Sequence, residues 1–182
     1  MTVKEGRTMD PTVKFIPGEL GAEGKCIYRT NEFMLTYEAV EPNAGDGPKS
    51  LAKLIDQQLG LDISADLLLI ADTLTLTFRG EDHHLVDMDS YTNRKLWQMS
   101  SVGAPTVGAR GSLVVAATLF PEADRLSLAT KPRYEVSGSH DWVRIVLQEQ
   151  PAHSHYEIAT NMLVGLRSGE ICDIFLFDVE FL

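Results

Sequence analysis

The chain has 182 residues, 44% of them hydrophobic and 23% charged, with a formal net charge of −10. This length suffices for one domain that buries about 70% of the surface its unfolded chain exposes, so folding needs neither a disulfide nor a metal. The acidic balance argues against nucleic acid and anionic membrane as partners, because both call for clustered Lys and Arg. No run approaches the ~18 consecutive apolar residues of a membrane-spanning helix. The first ten residues, MTVKEGRTMD, contain no apolar stretch of the kind a secretory signal requires. A cytoplasmic location is therefore expected, with Cys26 and Cys172 reduced.

Residues 1–24, rich in Gly, Pro and charge, read as a loosely ordered leader with a short strand at TVKFI, ahead of a single β-rich domain over 25–182. KCIYRT and FMLTYEAV alternate as two strands about a hairpin turn, and EPNAGDGP is a loop by composition. The spacing of Leu51, Leu54, Ile55 and Leu59 predicts one amphipathic helix near 49–59, opened by Pro48 and Ser50 and closed by Gly60. SADLLLIAD is either a further helical turn or the start of a strand, since periodicity cannot decide so short a run. From Thr73 onward the pattern is β. TLTLTF alternates, RGED turns, HHLVDMD returns, and RKLWQMS is the next candidate strand. SVGAPTVGARGS reads as a glycine-spaced loop before LVVAATLF, which is apolar on both faces as a central strand is. RLSLAT, RYEV, WVRIVLQ, HYEIATNMLVGLR and EICDIFLFDVEFL complete the set, with a turn at Ser168–Gly169. The expectation is a mainly β protein, an antiparallel barrel or sandwich of about nine or ten strands.

The segment EDHHLVDMDS places two adjacent histidines among acids and resembles a metal site at first sight. Regular strand alternation splits the pair. His84, Val86 and Met88 take the more apolar face, and His83, Leu85, Asp87 and Asp89 take the other. His84 then becomes the inward residue that a ligand would meet. PAHSHYEIA is better suited to a metal, because alternation projects His153, His155 and Glu157 the same way, in a ligand set used for Zn, Mn or Fe. Pro151 weighs instead for a loop or an exposed edge. Ser139, His140 and Asp141 name a hydrolase triad but are chain neighbours, and a histidine cannot bridge the residues on either side of it.

In VGAPTVGARG the glycine spacing of a phosphate loop is present, but Ala109 and Arg110 replace its Lys and Ser/Thr and a strand follows. A mouth loop is expected there, with Arg110 as an anion contact. Asp173 interrupts the apolar face shared by Ile171, Phe175, Phe177, Val179 and Phe181. It either lies by the Ser168–Gly169 turn or is buried with Arg144 or Arg167 as partner.

The function favoured by these observations is binding of a small apolar or mixed ligand in the interior of the β structure, with His84, Asp173 and Arg110 as contacts. A metal-dependent enzyme using His153, His155 and Glu157 is the second reading. A homo-oligomer or interaction module joined through the C-terminal strand is the third. No catalytic residue and no cofactor follows from the sequence.

Overall fold

A computed structural model describes residues 12–18, 23–40, 66–120 and 124–182. Two mixed β-sheets carry more than half of them. In the first, the spatial order is β1 (Val13–Pro17), β8 (Val107–Val115), β12 (Ser154–Ala159), β13 (Met162–Arg167), β14 (Glu170–Phe177), β11 (Trp142–Val146), β10 (Arg133–Val136) and β7 (Gln98–Met99). The second runs β15 (Glu180–Phe181), β2 (Glu23–Arg29), β3 (Met34–Val40), β6 (Leu85–Tyr91), β5 (Leu74–Phe78), β4 (Leu67–Ala71) and β9 (Arg125–Ser127). Most neighbours are antiparallel, but four pairings are parallel: β10 with β7, β12 with β8, β15 with β2 and β4 with β9.

The expectation of a mainly β protein holds. Neither sheet closes on itself, so of the two expected architectures the barrel gives way to the sandwich. Fifteen strands are found among the described residues against the nine or ten expected, in part because HYEIATNMLVGLR and EICDIFLFDVEFL each hold two. The predicted helix over 49–59 lies outside the described residues.

Leu67, Leu69, Leu74, Leu76, Phe78 and Met88 from the seven-stranded sheet join Leu113, Val143, Ile145, Val164, Ile174 and Leu176 from the eight-stranded sheet in one buried cluster. The two inner faces are therefore packed on each other, which is how each sheet removes its apolar side from water. SADLLLIAD resolves as strand β4, its alternating burial matched by that of β5 across the hairpin. RKLWQMS yields a 3-10 turn at Arg94–Leu96 and only the two residues of β7.

Two irregularities redirect side chains. In β6, Asp87 pairs with Thr77 but Leu85 pairs with Phe78, leaving Val86 as the extra residue of a bulge. In β14, Asp173 pairs with Gly165 and Ile171 with Leu166, so Cys172 is extra. Each bulge shifts the alternation by one residue. The C-terminal stretch also divides. β14 lies in the interior of the eight-stranded sheet, while β15, past Asp178 at φ 50°, is an edge of the seven-stranded one.

The chain from Met99 to Val107 joins β7 to β8, with five strands between them. Its eight steps reach about 26–29 Å when fully extended, while six strand spacings across a flat sheet cover about 29 Å. With bends at Ser101 and Val102 the connection falls short of that span, so the sheet is not flat.

Candidate functional site

The histidine pair lies at the seam between the sheets. His83, at φ 60°, closes the turn after β5; its carbonyl accepts from Val115 N at 3.1 Å, and His84 forms an isolated bridge with Val114. β8 thus pairs with β12 over its first half and meets the approach to β6 over its second, tying the two sheets together. Asp82 Oδ1 accepts from His84 N at 3.2 Å, and Arg79 pairs with Asp82 at 3.1 Å. The inward orientation expected for His84 with Val86 and Met88 is corrected by the bulge at Val86, which turns Leu85 toward Phe78 and the core. His84 is half-buried at the seam.

The densest polar cluster lies on the outer face of the eight-stranded sheet. Bulging at Cys172 sends Ile171, Ile174 and Leu176 into the core and leaves Asp173, Phe175 and Phe177 on the opposite face. Asp173 shares a face with Phe175 and Phe177, as expected, but Ile171 does not belong to it. Of the two settings expected for Asp173, the buried one is found: the residue is 1% exposed. Its Oδ2 accepts from Arg144 Nε at 2.9 Å and Nη2 at 2.6 Å, and its Oδ1 lies 2.9 Å from His155 Nε2. Arg144 reaches on to Glu135 at 3.2 Å, and Ser100 Oγ donates to the same Glu135 oxygen at 2.8 Å. The Arg144 guanidinium also stands 5.3 Å from the Phe175 ring centre, with Trp142 edge-on to that ring at 5.1 Å.

Gly165 makes this arrangement possible. A Cβ there would collide with Asp173 Oδ1 and lie 2.8 Å from His155 Nε2 and 2.7 Å from Ala152 Cβ. Burial alone would raise the Asp173 carboxyl, but hydrogen bonds from His155 and Arg144, reinforced by their charge, hold it below its ordinary value of 3.8. Each carboxylate in the cluster has a cationic or hydrogen-bonding partner, as buried charge requires. The cluster therefore ties strands β10, β11, β12 and β14 together.

The other expected contacts fall elsewhere on this face. Arg110 belongs to β8 and not to a loop, since the strand begins at Val107; its Nε pairs with Glu157 at 2.6 Å. His153 is exposed at the entry to β12, its backbone N–H donating to Leu166 O at 2.9 Å. His155 and Glu157 do share the outer face, as alternation predicts, yet each is engaged by a different partner. Among the described residues no group of three or more His, Cys, Asp or Glu side chains could hold a metal ion. None of the described helices is long and apolar enough to cross a membrane.

A different location was missed by the sequence reading. Where β4 of one sheet faces the starts of β14 and the end of β11 in the other, a cleft of about 320 Å³ opens, lined by Leu69, Leu128, Ala129, Leu147 and Ile171 with Thr12, Thr130, Gln148 and Glu170. The segment after β9 forms one wall as it passes between the sheets: Leu128 N donates to Ile70 O at 2.7 Å, and Thr130 Oγ1 donates to Leu147 O at 2.6 Å. At the rim Gln148 Nε2 donates to Glu170 Oε2 at 2.8 Å. No signal in the sequence joins these residues, which come from five separate stretches of chain. His84, Asp173 and Arg110 do not line this cleft. No protein-family model matches the chain, and no curated protein matches it either.

Proposed function

We propose that the protein binds a small, mainly apolar ligand in the cleft between the two sheets. The observation that carries this reading is the cleft's composition: aliphatic side chains from both sheets make its floor, and Thr130, Gln148 and Glu170 stand at its mouth. Its volume of about 320 Å³ falls at the small end of the range of about 300–1,000 Å³ for ligand pockets. An apolar body would remove aliphatic surface from water, while the polar rim orients a single hydrogen-bonding group.

Titration with the neutral fluorophore Nile red tests the reading. One saturable site per chain is expected, abolished by Ala129→Trp, which fills the cleft from an exposed position and leaves the core untouched. Absence of a saturable site, or binding unchanged in Ala129→Trp, would overturn it.

A further inference from the structure

A second surface points to a macromolecular partner, independently of the cleft. Eight large apolar side chains are exposed among the described residues, and four of them, Tyr91, Leu96, Met99 and Val102, fall within twelve residues of chain. Leu96 is 77% exposed and Tyr91 62%. Scattered apolar residues are ordinary on a surface, but a concentration of them marks a contact site. Beside them runs a groove of about 310 Å³, lined by Tyr91, Leu96, Gln98, Pro132, Arg133 and Tyr134. Gln98 belongs to β7, which pairs with β10 on one side and, among the described residues, is the outer edge of the eight-stranded sheet on the other.

Charge selects the occupant. Residues 91–98 and 131–134, which supply the groove, contain Arg94, Lys95, Lys131 and Arg133 and no acidic residue, in a chain whose net charge is −10. All four cations are exposed. A symmetric pair of chains meeting here would set these cations against each other, which disfavours a second copy. The acidic remainder of the molecule repels a long polyanion, which disfavours nucleic acid although Tyr91 is exposed at the groove. A short extended peptide with acidic residues and an apolar anchor meets each feature: its carboxylates face the four cations, its anchor fills the groove, and its backbone can add to the open edge at β7.

We infer that the groove beside β7 is a docking site for an extended acidic segment of a partner protein. Fluorescence anisotropy with the full chain tests this, using a labelled octapeptide that alternates Glu with Leu and Phe and a matched octapeptide with Lys in place of Glu. The acidic peptide is expected to bind at least tenfold more tightly than the Lys peptide. Leu96→Asp, and separately Lys95→Glu with Arg133→Glu, should each weaken it about tenfold or more while leaving Nile red binding and the melting temperature unchanged, since all three positions are on the surface.

The inference is overturned if neither peptide binds, if both bind equally, or if the variants bind as the parent does. It is equally overturned if a single-stranded oligonucleotide displaces the peptide at lower concentration than unlabelled peptide does. Sedimentation showing a dimer that Leu96→Asp dissociates would assign the surface to a second copy instead.

Discussion

Asp173→Ala would remove one partner from a buried ion pair and leave the other in place. Arg144 has 15% of its side chain exposed and Asp173 2%, so solvent screens the pair weakly. Loss of one member of such a pair costs about 3–5 kcal/mol, because the remaining charge stays buried. Here the lower end applies, since Arg144 keeps Glu135 at 3.2 Å. The expected loss is about 3 kcal/mol, or about 6–12 °C in melting temperature for a chain of this size. Urea unfolding followed by circular dichroism at pH 7 measures it. Arg144→Met combined with Asp173→Ala removes both charges and should cost less than the two single substitutions summed, giving a coupling energy of at least about 1 kcal/mol.

The pH dependence carries a second signature. Because the folded carboxyl is held below 3.8, the unfolded chain binds its proton first as pH falls. The stabilisation is thus complete above the ordinary carboxylate range and disappears as pH drops through the lower folded value. The acid limb of parent stability should be steeper than that of Asp173→Ala. An Asp173→Ala protein within about 0.5 kcal/mol of the parent, or strictly additive effects of the two substitutions, would refute a coupled buried pair.

Other perturbations separate structural roles on the same face. Gly165→Ala should cost about 1–3 kcal/mol by overpacking and shift the His155 ring resonances in NMR spectra, because the new methyl displaces the ring from Asp173; unchanged resonances would contradict the close approach. Arg110→Ala should cost at most about 1 kcal/mol in urea unfolding, since the Arg110 side chain is 65% exposed, and a loss as large as that of Asp173→Ala would show that burial does not rank these pairs. Burial pushes the Cys26 thiol up to about 12, with Asp178 adding to it, and raises Cys172 as well. A thiol reagent at pH 8 should therefore label neither cysteine rapidly in the folded protein and both in denaturant, counted by mass spectrometry.

Alternation of apolar and polar residues was enough to identify most strands and the mainly β class, because period-two burial is a local property of the chain. TLTLTF needed nothing beyond its own sequence to present Leu74, Leu76 and Phe78 to a core. The same rule failed at His84 and Ile171, where one inserted residue in each strand inverted every facing beyond it. A bulge is set by the partner strand's register, which the bulged strand alone does not encode.

Asp173 could be recognised as anomalous from its apolar neighbours. Its pairing with Arg144 and His155 required the order β12–β13–β14–β11, which brings residues 144, 155 and 173 together and puts Gly165 between two of them. His153, His155 and Glu157 followed the expected alternation, but Asp173 and Arg110 on other strands engage two of the three. Length, charge and hydropathy, each a sum over residues, thus determined an acidic, β-rich chain with a core large enough to fold. The cleft and the basic groove were decided by tertiary structure, since each is formed by residues that meet only after distant strands have paired.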